Sequence, residues 1–190
     1  MLAGAATSQS EFLQTAVKAL AHGLNCMLAA VGQANKDKTQ VQLLVLLKDG
    51  NLIDPYSYEL AGTPCEDIYT STEIEPHIHH CDGLCDLFPQ DKALINLGAK
   101  GYRAEAFHDA DGDRFGHVFI IDNKATAENA NDTAFFRMIS QRIGAEVNRW
   151  RSESALQESE QQLRSTKQKL ETAIESFSDG FALFDADDRF

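Results

Sequence analysis

The chain has 190 residues, 43% of them apolar and 8% aromatic, and a formal net charge of −12 at pH 7. That length suits one domain of about 100–150 residues with a full core, plus an appendage. The acidic balance excludes a protein that wraps a phosphate backbone, because such binding neutralises phosphates with clustered Lys and Arg; no nucleic acid partner is expected.

The first twelve residues, "MLAGAATSQSEF", lack a basic segment followed by an apolar one, and no apolar run reaches the ~18 residues of a membrane span. No membrane segment is expected in this stretch of chain, although a longer parent chain could hold one. Residues 8–23 place Phe12, Val17 and Leu20 near helical spacing, with Ser8 or Ser10 as N-cap and Gly23 as stop. Next come "NCMLAAVGQA", a polar turn "NKDKTQ" and the run "VQLLVLLKDGNLID", which read as two or three antiparallel strands with Asp49-Gly50 as a hairpin turn.

From about residue 59 to 101 the chain is poorly periodic and rich in Pro, Gly, Cys and His, so short helices and loops are expected rather than sheet. Loops of that length usually carry function. Two strands follow in "YRAEAFHDADGDRFGHVFIID", around a turn at Asp111-Gly112-Asp113. "DADGDR" lacks the distal Glu of a calcium loop, which leaves it a hairpin turn.

From residue 132 to about 178, Gly144 is the only Gly and Pro is absent, in a stretch of Glu, Gln, Arg, Lys, Ala and Leu that favours a long helix. Phe136, Ile143 and Trp150 recur every seven residues, as do Leu156, Leu163, Leu170 and Phe177. The step from Trp150 to Leu156 is six, so the apolar stripe breaks register near residue 153. Glu160 and Lys167 occupy the second apolar column, which Ile174 alone fills. A helix pair built on this seam would be marginal, as suits a coupling rod with two arrangements; a solvated linker helix is the plainer alternative. Trp150 reads as a dimer or domain-packing anchor.

The segment "HIHHCDGLCDLFPQD", residues 77–91, concentrates ligand-type side chains. His77, His79, His80, Cys81 and Cys85, with Cys65, offer the nitrogen and thiolate donors that zinc prefers. Against a metal or haem site stands the lack of a compact Cys-x2-Cys pair or a second matching pair. The spacing therefore favours an unliganded exposed loop, with His77, His79, Cys81 and Cys85 as the metal candidates and Cys81/Cys85 as a redox candidate. Four cysteines so unevenly placed are not a disulfide framework; reduced thiols and a cytoplasmic location are expected. His117 alternates with Val118 on a strand and reads as a satisfied or exposed sheet residue.

The order of these pieces, with "TPCE" at 63–66, "LFPQD" at 87–91, "GAKGY" at 98–102 and "DADGDRFGHVFIID" at 109–122, resembles a GAF domain over residues 8–150. The resemblance implies an α+β fold: an antiparallel sheet of about six strands, flanking helices on one face, a long C-terminal helix, and a small-molecule pocket roofed by the irregular middle. The pocket contacts it implies are Cys65, Tyr102 and Phe107. Residues 102–107 replace the usual Tyr-x-Gly-x-Pro-Leu, and Tyr102 taken alone is a common strand residue. The plainer reading of Cys65 is a small buried hydrophobe beside Pro64.

Chromophore-binding relatives carry a pocket cysteine followed by His, whereas here the order is His80-Cys81. Cyclic-nucleotide relatives carry Asn-Lys, Phe and an acidic pair; Ser140-Gln141 replace the acids. A thiol-reductase relative invites comparison with Cys65, Cys81 and Cys85, without matching context.

Residues 170–190, "LETAIESFSDGFALFDADDRF", resemble the opening of a PAS domain, which needs about eighty further residues to close its sheet. The expected organisation is a sensor domain at 8–150, a signalling helix at 151–178 and a PAS start at 179–190. The resemblance implies a fragment of a bacterial two-component or related sensor, its output a histidine kinase or diguanylate cyclase. The fragment itself is expected to be non-catalytic, homodimeric through its C-terminal helix and responsive to an unidentified small molecule. The alternatives are a ligand-free dimerisation module and a thiol-based or metal-sensing domain.

Overall fold

The computed structural model describes residues 2–73 and 77–176, with side chains for 8–73 and 77–175. The expected PAS opening at 179–190 and Phe177 lie outside the described residues. The chain divides into two units, residues 1–148 and 149–190.

The first unit opens with α1 (Leu2–Leu24). The helix starts upstream of Ser8 and Ser10, so neither caps it: the Ala-rich segment before them has high helix propensity and no Pro to stop it. Gly23 lies inside the helix, where a Cβ would stand 2.5 Å from Phe135 Cε1. Its role is close packing, and the chain leaves the helix at Asn25, with φ 48°.

Then come β1 (Leu28–Ala34), β2 (Gln40–Lys48), β3 (Asn51–Ile53) and β4 (Ser57–Glu59). Asp49 and Gly50 have φ of 49° and 77°, the two positive values that a tight hairpin turn with matching twist requires. The middle holds α2 (Glu66–Thr70), β5 (His77–His80), α3 (Leu84–Leu87) and α4 (Lys92–Leu97). Asp91 caps α4, its Oδ1 accepting from the amides of Ala93 and Leu94. The unit ends with β6 (Gly101–His108), β7 (Arg114–Asp122) and the start of α5 (Ala130–Ser176).

The seven strands form one antiparallel sheet in the order β3-β2-β1-β7-β6-β5, with β4 also pairing with β2. Residues 77–80 are therefore a strand at the sheet edge and not part of a loop. Alternation of side chains along the strands gives two apolar faces, and helices cover both rather than one. Leu28, Ala30, Leu43, Tyr102, Phe119 and Ile121 face the layer of α2, α3 and α4 and share its core. The other face carries Arg103, Glu105 and Phe107 toward α5. There Val17, Leu20, Phe136 and Ile143 are fully buried, each worth about 1.5–3 kcal/mol.

Phe136, Ser140, Ile143 and Val147 form the buried stripe of α5 in the first unit. In the second unit Leu156, Leu163, Leu170 and Ile174 are exposed. The helix runs through residue 153 without interruption, so the register break is confined to the side-chain pattern.

Candidate functional site

A cavity of about 410 Å³ lies between the sheet and the short helices. Its sheet wall is apolar, formed by Leu28, Leu43, Leu46, Phe119 and Ile121. Leu94 and Leu97 of α4 face that wall, and Tyr56, Thr63, Gln90, Asp91 and Lys92 supply polar groups. The volume falls in the range of small-molecule sites, as does the combination of apolar walls with a few polar groups.

Cys65 and Tyr102 both line this cavity. The Cys65 sulfur accepts hydrogen bonds from the hydroxyls of Tyr58 and Tyr102, each at 3.2 Å. Burial pushes the Cys65 thiol up to about 11 and keeps both phenols protonated well above their ordinary range. A thiol so protonated is a poor nucleophile. Its part here is to accept from two donors that face into the cavity wall.

Phe107 is not at this cavity. It packs on the opposite face, against the position of Gly144 in α5. Tyr102 and Phe107 are five residues apart on one strand, and an odd separation sends side chains to opposite faces. Tyr56 and Tyr58, beside and within β4, are cavity residues that the sequence did not single out; their signal is the i, i+2 spacing of two tyrosines after Pro55.

The alternation of β5 also divides the histidines. His77 and His79 point toward the α5 face. His77 Nδ1 lies 3.1 Å from Glu105 Oε1, which also accepts from Arg137 Nε of α5 at 3.1 Å. His79 Nε2 is 3.1 Å from Thr126 Oγ1. His80 points the other way, its ring 5.7 Å from that of Phe88 and 6.2 Å from that of Tyr102.

Cys81 is exposed, with its sulfur 3.8 Å from His79 Nε2, whereas the Cys85 thiol donates to the Ala99 carbonyl at 3.0 Å within the other layer. The four metal candidates His77, His79, Cys81 and Cys85 are thus not gathered at one point, and among the described residues no group of three or more His, Cys, Asp or Glu is arranged to hold a metal ion.

His117 is fully buried and not an exposed sheet residue. Its Nδ1 and the Tyr69 hydroxyl are hydrogen-bonded at 2.8 Å, its ring stacks on Phe119, and Nε2 has no partner among the described residues. Burial drags its pKa down to about 3, so the imidazole is neutral.

No family model and no curated protein matches the sequence. Solved structures do match in three dimensions. The blue-light absorbing form of the Thermosynechococcus elongatus PixJ GAF domain aligns with TM-score 0.61 at 11% identity, covering 80% of this chain and 92% of that one. A domain of a putative two-component sensor histidine kinase from Sinorhizobium meliloti 1021 aligns with TM-score 0.52 at 12% identity, over 77% and 95%. A methyl-accepting chemotaxis protein, residues 122 to 287, aligns with TM-score 0.56 at 15% identity, over 78% and 96%. At such identities the likeness is one of fold, and with its α+β architecture, antiparallel sheet and long C-terminal helix the chain has the GAF fold.

Proposed function

We propose that this chain is the sensory part of a signalling protein, binding a small molecule in the 410 Å³ cavity and passing the change to α5. The observation that carries the reading is the cavity itself: apolar along the sheet, polar at α4 and Thr63, and backed by the Cys65 junction. Its neighbours in fold include a light-absorbing domain, a putative sensor kinase domain and a chemotaxis protein, which supports a sensor rather than an enzyme. The ligand best suited to such walls is uncharged and largely apolar, with one or two polar groups.

α5 is the output element in this reading. It packs on the sheet through Phe136, Ile143 and Val147 and continues as a helix whose leucines, Leu156, Leu163 and Leu170, are exposed at heptad spacing. A parallel second copy would cover that stripe and make the helix pair the conduit to a histidine kinase or diguanylate cyclase output, with a PAS domain following. Ligand binding shifts the pair only insofar as its affinity differs between two helix arrangements.

Native mass spectrometry of protein purified without a His-tag tests both parts. The expected spectrum shows a dimer carrying a mass excess that is lost on denaturation and absent from an Ala61→Trp variant, which places a large ring at the cavity rim. Monomeric protein would overturn the dimeric output. A dimer of bare chain mass that also fails to bind any compound in a small-molecule library would favour the ligand-free dimerisation module.

A further inference from the structure

A second cavity, of about 230 Å³, lies on the opposite face of the sheet, under the start of α5. Its charged lining comes from Arg103, Asp122, Lys124 and Asp132, and its polar lining includes His79, Thr126 and Asn129.

Arg103 is the unusual member. It is only 4% exposed, and its Nε has no hydrogen-bond partner among the described residues. One terminal nitrogen lies 3.5 Å from His79 Nε2, a long and weak contact, and the guanidinium stands 5.9 Å from the Phe136 ring. Arg keeps its proton in proteins, so this is a buried cation whose terminal nitrogens make, among the described residues, only the weak His79 contact. A carboxylate matches the guanidinium fork with two parallel bonds.

The opposite charge is equally under-used. Asp122 has a side chain that is 6% exposed, and the nearest cation, Lys124 Nζ, is 3.8 Å away, outside hydrogen-bond distance. Lys124 donates instead to the Asn25 carbonyl at 2.9 Å. Asp132, in the first turn of α5, favours the Arg103 cation through space but makes no hydrogen bond or ion pair among the described residues. Burial, followed by the Arg103 charge, holds His79 below its ordinary value, so it adds no positive charge at neutral pH.

The lining thus pairs two cations with two carboxylates. A simple anion or amine would meet as much repulsion as attraction there. A cavity of about 230 Å³ lies below the range of drug-sized ligands and suits a small molecule. We propose that this cavity is a second site, selective for a small zwitterion of the α-amino acid class, whose carboxylate meets Arg103 and whose ammonium meets Asp122 and Asp132. Binding at the first turn of α5 gives the site direct contact with the helix that leaves the sheet.

Isothermal titration of the whole chain with glycine, alanine, serine and valine tests this, alongside their N-acetyl and carboxamide derivatives and acetate. At least one free amino acid should bind, with the blocked forms and acetate at least tenfold weaker. Asp132→Asn should weaken binding at least tenfold while leaving the far-UV circular dichroism spectrum of the unliganded chain unchanged. Ala61→Trp, at the other cavity, should leave affinity unchanged. Four results would overturn the proposal: no binding by any of the four amino acids, equal binding of acetate or of a blocked derivative, full affinity in Asp132→Asn, or loss of binding in Ala61→Trp.

Discussion

At Gly144 α5 packs directly against Phe107 of the sheet, and substituting it sets two opposing terms against each other. In an exposed helix interior Gly→Ala stabilises by about 1 kcal/mol, because Gly loses more backbone entropy on folding. Here a Cβ would stand 2.7 Å from Phe107 Cδ1 and 3.2 Å from its Cγ, against an optimum of about 3.5–4.0 Å between carbons. Phe107 is itself buried, and its Cγ is too near the backbone to swing clear. Overpacking of this kind costs about 1–3 kcal/mol, so Gly144→Ala should destabilise the first unit by up to about 2 kcal/mol net.

Removing the ring should reverse the sign. In a Phe107→Ala background, itself costing about 3–5 kcal/mol, the methyl added by Gly144→Ala meets no obstacle and should recover its helical gain of about 1 kcal/mol. The double-mutant cycle therefore predicts a coupling of about 1–3 kcal/mol between the two positions. Urea unfolding followed by far-UV circular dichroism measures it, provided that the denaturant slopes of the four proteins agree. Stabilisation by Gly144→Ala in the wild-type background, or additivity within about 0.5 kcal/mol, would refute the close approach of α5 to β6.

Cys65→Ala should cost about 1–3 kcal/mol, because it leaves two Tyr hydroxyls without the sulfur, whereas Cys65→Ser, which keeps an acceptor, should cost less; thermal denaturation of the two variants compares them. Burial holds the Cys65 thiol at about 11 and the Cys26 thiol at about 12, so iodoacetamide at pH 8 should label exposed Cys81 well before either. Peptide mass mapping would show it, and labelling of Cys65 as fast as Cys81 would contradict the buried junction. His117 has a folded pKa of about 3 against an ordinary 6.5, so the unfolded chain binds the extra proton between those values. Its contribution to stability is complete above pH 6.5 and is lost as the pH falls toward 3, at up to about 1.4 kcal/mol per pH unit. Urea midpoints across that window should fall less steeply in His117→Gln than in the parent chain, and equal slopes would count against a neutral buried imidazole.

Much of the architecture was legible because it rests on interactions a few residues long. Asp49-Gly50 specifies its turn by the φ angles those two residues tolerate, and residues 132–176 are helical because every local preference agrees and nothing interrupts them. The resemblance to a GAF domain rested on the order of such pieces, and order survives when individual motifs change.

The site was less legible, because its geometry depends on partners distant in sequence. Residues 77–80 look like a ligand-rich loop until β6 supplies a strand edge to pair with, and that pairing turns alternate histidines to opposite faces. The separation of Tyr102 from Phe107 could have been read from the two-residue period of a strand, given the strand.

No such rule was available for Cys65, whose two donors lie 7 and 37 residues away, or for Arg103, which is one charge among many until α5 closes over it. Local propensity and turn chemistry act over one or two turns of chain, so the sequence alone determined the hairpins and long helices and their order, whereas β5 needed β6 to become a strand. Cavities, buried charges and side-chain junctions are defined by surfaces from several elements at once, and only the tertiary structure decided them.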